Sequence, residues 1–195
     1  MEIYLATTSA ARISLFGQLG LPFKSVAPEG VQEATEISTT PEDLVVLNAT
    51  MKAKSVAETL DEGLVIGCDT LGFLEGVPLG KPNNAAHARE MLLEMNGKTH
   101  LIETGIAVVD CATGAIETDF DKTLVTFKRV PEKVIEEYAK SGEPLGKAGA
   151  YAFQGRGGAL LIAKAEGSAS NVIGIPLQKL LALLAKFGVA VGETK

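Results

Sequence analysis

Apolar and polar positions follow two rhythms along this chain. Short, nearly continuous apolar runs bounded by glycine, proline or charged residues predict strands. Longer stretches with apolar residues three and four apart predict helices. The predicted strands lie at 2–6, 22–28, 64–69, 71–79, 99–110, 116–128 and 159–164. The helical stretches lie at 10–20, 41–60, 84–95, 131–140 and 176–187.

The order of these elements indicates the fold class. Strands and helices alternate over most of the chain, which favours an α/β sheet. The strands at 99–110 and 116–128 are joined only by a short turn around Ala112-Thr113-Gly114, so they pair antiparallel. The sequence therefore predicts a mixed α/β sheet with flanking helices and a loop at 29–40. We find no internal repeat and no linker.

The stretch VIGCDTLGFLEGVPLGKP combines a strand, a turn and two charged residues. Asp69 stands at the end of the apolar run 64–69, and Glu75-Gly76 predicts a hairpin turn that returns to Lys81. A carboxylate at the end of a buried strand is costly unless it is paired, hydrated or metal-bound. Two interpretations stay open: a salt bridge across the hairpin, or an acid that holds a metal opposite a lysine that binds phosphate.

The segment LATTSAAR joins a predicted strand to a predicted helix. Ser9 is in position to cap the helix, and Arg12 lies in its first turn. A helix start favours phosphate because its N–H groups are exposed. A simple cap and a surface charge remain the alternative. Lys52, in LNATMKAKS, and Glu33, in the preceding loop, also have an alternative as solvated charges.

A second cationic segment, GKAGAYAFQGRGG, carries Lys147, Gln154 and Arg156 among glycines. Glycines let backbone N–H groups approach an anion closely, although they also mark mobile loops. The sequence contains neither GxxxxGK[ST] nor a strand followed by GxGxxG, and it has no HExxH or GxSxG. These absences disfavour a Walker-type site, a zinc protease and a serine-nucleophile hydrolase.

Composition narrows the function classes further. The 195 residues suit one domain or two small lobes, and a net charge of −6 argues against a broad nucleic-acid-binding surface. No apolar run is long enough to span a bilayer, and MEIYLATTS lacks the basic start of a signal peptide. Cys68 and Cys111 form no metal-type cluster and are predicted to be small buried residues. We therefore expect a cytoplasmic protein with no membrane partner and no nucleic-acid partner.

Taken together, these motifs resemble the Maf family of nucleoside triphosphate pyrophosphatases. The resemblance rests on eight segments in order: LATTSAAR, VQE, LNATMKAKS, GCDT, GVPLGKP, NGKTHLIETG, GKAGAYAFQG and NVIGIPL. It covers residues 4–187. It implies a single domain with an elongated mixed sheet in two lobes around a cleft, similar to inosine triphosphate pyrophosphatases. It also implies hydrolysis of a nucleoside triphosphate to the monophosphate and pyrophosphate, a requirement for Mg²⁺ or Mn²⁺, and a homodimer.

The resemblance also transfers functional positions onto this chain. It implies catalytic roles for Glu33, Lys52, Asp69 and Lys81, with Glu33 and Asp69 as the metal ligands. The substrate-binding positions that we predict are Ser9, Arg12, Thr70, Lys147 and Gln154. On this view Arg12, Lys52 and Lys81 offset the phosphate charge, and Asp69 positions or deprotonates the attacking water.

Two details of the motifs bear on the substrate. GCDT and KAGAYAFQG resemble the branch of the family that acts on dTTP and UTP. The family's SxRR opening reads Ser9-Ala10-Ala11-Arg12 here, so one arginine of the pair is absent, and Arg156 is a candidate substitute. The alternatives are a nucleotide-binding regulator of cell division without significant turnover and a 7-methyl-GTP pyrophosphatase. The sequence does not rank dTTP, UTP and modified pyrimidine nucleotides.

Overall fold

The computed structural model describes residues 1–34 and 40–190. Part of the predicted loop at 29–40, including Glu36, lies outside these residues. The strands are β1 Ile3–Ala6, β2 Lys24–Val26, β3 Leu64–Leu74, β4 Val77–Leu79, β5 Thr99–Asp110, β6 Ile116–Phe127 and β7 Ile162–Glu166. The helices are α1 Ala10–Gly17, α2 Pro41–Ala57, α3 Ala85–Met95, α4 Glu132–Ala139, α5 Arg156–Leu161, α6 Ala169–Ile173 and α7 Leu177–Lys186.

The strands form one mixed sheet, which confirms the predicted fold class. In the described ranges the sheet has seven strands in the order β2-β1-β3-β5-β6-β7, with β4 paired to β3. Strand β1 lies parallel to both β2 and β3, whereas β4 is antiparallel to β3 and β7 to β6. The parallel β1–β3 pair matches Ala6 with Gly67, so β3 continues beyond the end of β1.

The chain divides into two compact units, each with its own apolar core. The first comprises 1–70, 103–121 and 174–195, and the second comprises 71–102 and 122–173. In the first, small residues of α2 such as Ala49 and Ala53 pack against β1 and β3. In the second, α3 and α4 supply Leu92, Met95 and Ile135 to the core. The single two-lobed domain around a cleft stays a prediction.

The strand predicted to stop at Asp69 does not stop there. β3 runs without interruption from Leu64 to Leu74, and Asp69 lies within it at 4% exposure. The prediction failed because Lys52 and Asn48, in the first unit, compensate the carboxylate. The hairpin turn itself is confirmed: Glu75 and Gly76 both have positive φ, at 53° and 83°, as a type I′ turn requires.

A second correction concerns the predicted strand at 159–164. The chain forms α5 up to Leu161 and only then enters β7. The apolar run could not distinguish one helical turn from a strand, because short apolar segments fit either. The predicted burial of Cys68 is confirmed, whereas Cys111 is only partly buried. Within the described part of the chain, no helix is long and apolar enough to cross a membrane.

Candidate active site

Asp69 owes its surroundings to the close packing of α2 on β3. A Cβ added at Gly67 would lie 2.1 Å from the carbonyl oxygen of Ala49, so only glycine permits this approach. Asn48 and Lys52 are four residues apart on α2 and therefore share a face of the helix. The packing brings this face against Asp69.

Lys52 connects two carboxylates. Its Nζ lies 2.6 Å from an oxygen of Asp69 and 2.6 Å from an oxygen of Glu33. The Lys52 and Asp69 side chains are 9% and 5% exposed, whereas Glu33 is 41% exposed. An ammonium group has three N–H donors, and these contacts use two of them. The predicted residues Glu33, Lys52 and Asp69 thus meet at one place in the first unit.

Asn48 is a residue of this site that the sequence reasoning missed. Its Nδ2 donates to the second oxygen of Asp69 at 3.0 Å and to the carbonyl of Ala34 at 3.1 Å. Its Oδ1 accepts from the Ala34 N–H at 2.8 Å. The buried amide therefore fixes the backbone next to Glu33 relative to Asp69. The signal in the sequence was its spacing of four from Lys52. We call Glu33, Asn48, Lys52 and Asp69 the carboxylate cluster.

A second group of side chains is centred on Thr70, the residue that follows Asp69 in β3. Arg12 donates from Nε to the carbonyl of Gly174 at 3.0 Å and from Nη2 to Oγ1 of Thr70 at 2.9 Å. Thr70 Oγ1 lies 2.9 Å from Oγ1 of Thr104. We call Arg12, Thr70, Thr104 and Gly174 the arginine–threonine group. Thr70 follows Asp69 directly in β3, and because successive side chains of a strand point to opposite faces, the hydroxyl and Arg12 lie on the other face of the strand from the Asp69 carboxylate.

Ser9 has the predicted capping role. Its Oγ accepts the N–H of Arg12 at 3.4 Å, and α1 begins at Ala10. Ser9 also donates its own N–H to the hydroxyl of Thr7 at 3.1 Å, which shapes the turn between β1 and α1. Ala11, at the place of the absent arginine, is exposed in the first turn. Substitution by Arg156 stays a prediction.

The remaining predicted residues lie in the second unit. Lys81 follows β4 and is exposed, and Gln154 is also exposed. Lys147 is half-buried, and its Nζ donates to the carbonyl of Glu143 at 2.6 Å. The structure does not test the roles predicted for these three residues, and they stay predictions.

His100 anchors the segment that carries Gln154. Its Nε2 lies 2.8 Å from the hydroxyl of Tyr151, and both rings pack edge-on against Phe127. Burial lowers the pKa of His100 to about 4, so its imidazole is neutral near pH 7. Since this side chain is 2% exposed and bonded to a tyrosine, it fits a structural role in the segment that contains Tyr151 and Gln154.

The carboxylate cluster has the donor atoms that a hard divalent cation prefers. Mg²⁺ and Mn²⁺ favour carboxylate, carbonyl and water oxygens. Glu33 and Asp69 each place one oxygen 2.6 Å from Lys52 Nζ, so the two carboxylates contact the same ammonium group. Carboxylate oxygens accept more than one contact, so the hydrogen bonds from Lys52 and Asn48 leave capacity at Asp69. Glu33 and Asp69 are therefore of the chemical type that such an ion binds.

Comparisons with known proteins show the family of this chain. A family model described as Maf-like protein matches residues 2–187. The chain belongs to the Maf-like protein family. Among the relatives of this Maf-like chain are proteins named dTTP/UTP pyrophosphatase. The one from Pelotomaculum thermopropionicum is 44% identical over 96% of this chain and 97% of the relative, and the one from Moorella thermoacetica is 44% identical over 97% of each. That from Dictyoglomus turgidum is 38% identical over 96% of each.

Two solved structures are distantly similar to this Maf-like chain. A HAM1 protein from Coxiella burnetii is 16% identical, covers 67% of this chain and 75% of its own, and gives a TM-score of 0.45. A nucleoside-triphosphatase / dITP/XTP pyrophosphatase from Mycobacterium abscessus is 14% identical, covers 95% of each chain and gives a TM-score of 0.42.

Replacement of Asn48 tests whether its amide positions the carboxylate cluster. In Asn48→Ala the backbone at Ala34 loses two hydrogen bonds and Asp69 loses one. We expect kcat of the Maf-like chain to fall about 10- to 100-fold, because a catalytic group displaced by a fraction of an ångström loses much of its effect. The readout is kcat together with the Mg²⁺ concentration that gives half-maximal rate. Asn96→Ala is the control, because its amide also bonds a backbone N–H and a carbonyl, those of Val130.

Proposed function

We propose that this chain hydrolyses dTTP and UTP to the nucleoside monophosphate and pyrophosphate. The observation that carries the proposal is the buried Asp69 held by Lys52 and Asn48 beside Glu33. A site that only bound phosphate would need cations more than a buried acid. Membership of the Maf-like family and relatives named dTTP/UTP pyrophosphatase, matched over nearly their full length, support the substrate class.

The proposed reaction is attack of water on the α-phosphorus. Asp69 accepts a proton from the water, whose oxygen forms the new bond to phosphorus. The bond between the α-phosphorus and the bridging oxygen breaks, and the electron pair leaves with pyrophosphate. Lys52 and Asn48 hold the Asp69 carboxylate in one orientation, which removes part of the cost of positioning the water.

The reaction also requires that the negative charge of the phosphates be offset. A nucleoside triphosphate carries about four negative charges near neutral pH, and preorganised cations stabilise the charge that develops on the leaving group. Arg12 is the cation that the first unit supplies beside Thr70. The resemblance assigns Lys81 to the phosphates as well, Lys147 to substrate binding, and Gln154 and Thr70 to substrate selection.

We further propose Mg²⁺ or Mn²⁺ as the cofactor. Glu33 and Asp69 are the side chains that would hold it. Such an ion offsets phosphate charge and lowers the pKa of a water molecule bound to it. A cytoplasmic location and assembly as a homodimer are further proposals, both carried over from the family resemblance.

A nucleotide panel tests the proposed function. Purified protein is mixed with dTTP, UTP, dCTP, ATP, GTP and 7-methyl-GTP, with Mg²⁺ or Mn²⁺ and with or without added pyrophosphatase. Products are separated to distinguish monophosphate plus pyrophosphate from diphosphate plus phosphate. We expect kcat/KM to be highest for dTTP and UTP, with phosphate appearing only when pyrophosphatase is added.

The panel also separates the alternatives. Binding of nucleotides without turnover would favour the regulator and overturn the proposal. The highest kcat/KM for 7-methyl-GTP would overturn the pyrimidine assignment and leave the pyrophosphatase assignment in place. Release of phosphate without added pyrophosphatase would indicate cleavage at a different phosphoanhydride.

A further inference from the structure

Thr104 contacts Thr70, the residue to which we assign a role in substrate binding. It belongs to β5, its side chain is fully buried, and its Oγ1 lies 2.9 Å from Oγ1 of Thr70. Thr70 itself is half-buried. A substrate-binding role for Thr70 was predicted, whereas nothing in the sequence reasoning assigned a role to Thr104.

The hydrogen-bond capacity of Thr70 decides what it offers to a ligand. A threonine hydroxyl has one proton to donate and two lone pairs that accept. One lone pair of Thr70 accepts the Nη2–H of Arg12, because a guanidinium only donates. The bond to Thr104 can run in either direction. If Thr70 donates to Thr104, its proton is consumed; if Thr104 donates, Thr70 keeps its proton.

Gly174 fixes the arginine in this arrangement. Its carbonyl accepts from Nε of Arg12 at 3.0 Å, which turns Nη2 toward Thr70. The backbone at Gly174 has φ +123°, and a Cβ there would lie 2.8 Å from Nε of Arg12. The chain thus brings a backbone carbonyl close to Arg12 at a position that excludes side chains. Arg12 therefore always donates to Thr70, because a guanidinium has no acceptor and the Gly174 carbonyl holds it in place.

We propose that Thr104 is a positioning residue that makes the Thr70 hydroxyl a hydrogen-bond donor to the substrate. The Thr104 hydroxyl donates to Thr70, both lone pairs of Thr70 are then occupied, and the Thr70 proton points to an acceptor oxygen of the bound nucleotide. The inference rests on the proposed function, because it needs a substrate that contacts Thr70. Acceptor oxygens on a pyrimidine nucleotide are the base carbonyls and the phosphates.

Four variants test the proposal: Thr104→Val, Thr104→Ser, Thr70→Val and the double variant Thr70→Val/Thr104→Val. Valine keeps the branched shape and removes the hydroxyl, whereas serine keeps the hydroxyl. The control is Thr126→Val, because Thr126 makes a similar bond of 2.8 Å to Thr99 in an exposed part of the second unit. Steady-state kinetics with dTTP and dCTP and the Tm of each variant are measured.

We expect Thr104→Val to raise KM for dTTP about tenfold with little change in kcat, as loss of one hydrogen bond shared by ground and transition states does. Thr104→Ser should stay within about twofold of the wild type. The double variant should match Thr70→Val, because both substitutions remove the same contact. If the dTTP-to-dCTP ratio of kcat/KM falls, the acceptor is the base carbonyl that these nucleotides do not share. If the ratio stays constant, the acceptor is an oxygen that both nucleotides share, such as the C2 carbonyl or a phosphate oxygen.

Other results would overturn the proposal. An unchanged KM in Thr104→Val, together with a raised KM in Thr70→Val, would mean that Thr104 does not act through Thr70. Additive effects on KM in the double variant would also mean that Thr104 does not act through Thr70. A change of KM in Thr104→Val no larger than that in Thr126→Val would lead to the same conclusion. If Thr104→Val does not fold, Thr104→Ala replaces it with the same expectations. Absence of turnover in the wild type would instead refute the proposed function.

Discussion

Asp69→Asn is expected to lower kcat about 10²- to 10⁴-fold, the range for loss of a general base. Asparagine keeps the shape of the side chain and one oxygen that can accept from Lys52 Nζ. It removes the charge and cannot accept a proton from water. The protein should stay folded with a Tm several degrees lower, because Lys52 keeps only Glu33 as a charged partner and an amide now faces the Nδ2 donor of Asn48. The measurement is kcat for dTTP together with the Tm.

The matched control for this change is Asp119→Asn. Asp119 also pairs with a lysine of the first unit, Lys179, at 3.2 Å, but in a more exposed position. A near-normal kcat in Asp69→Asn would remove Asp69 from the mechanism. A protein that fails to fold would favour a structural role for the buried ion pair. Loss of activity equal to that of Asp119→Asn would mean that the effect is not specific to the site.

The sequence predicted those parts of the fold that depend on neighbouring residues. Pro41 begins α2, and a capping box between Thr40 and Asp43 closes its first turn. Glu75-Gly76 forms the hairpin turn, and both residues have the positive φ that a two-residue turn of this type requires. Local chemistry is sufficient at such positions, so no knowledge of the rest of the chain was needed.

The interior of β3 shows what local patterns could not predict. Asp69 looked like a strand end because an unpaired carboxylate is costly inside a sheet. Its compensation comes from Lys52 and Asn48, which are 17 and 21 residues away along the chain. Only the packing of α2 over Gly67 shows that these side chains reach it. The same holds for Gly174, whose contact with Arg12 joins residues 162 positions apart.

Residues at the site differ in how they could be identified. Glu33, Lys52 and Asp69 were inferred from the family resemblance, and the structure places them in one cluster. Asn48 and Thr104 lie in the segments LNATMKAKS and NGKTHLIETG, but they carry no charge and the sequence reasoning gave them no role. Their roles follow from hydrogen bonds that fix another side chain. Residues of this kind become visible only when donors and acceptors are counted in three dimensions.

Lys52→Met is expected to have the second large effect, on stability as well as on activity. Methionine fills a similar volume but leaves Asp69 and Glu33 without the cation between them. Removing one partner of a buried ion pair costs about 3–5 kcal/mol, which corresponds to a Tm about 10 °C lower for a chain of this size. We also expect kcat to fall about 10²-fold or more, because Asp69 loses the contact that orients it.

Added Mg²⁺ separates the role of Lys52 from a general packing effect. If Glu33 and Asp69 are the ligands of a divalent cation, the ion binds more tightly once the competing ammonium is gone. Because a ligand that binds only the folded state raises stability by an amount that grows with its affinity, Mg²⁺ should raise the Tm of Lys52→Met more than that of the wild type. Lys179→Met, which removes a more exposed ammonium from Asp119, should show the wild-type response to Mg²⁺. Equal Tm shifts in all three proteins would mean that the two carboxylates do not hold the ion, and the metal assignment would then have to be abandoned.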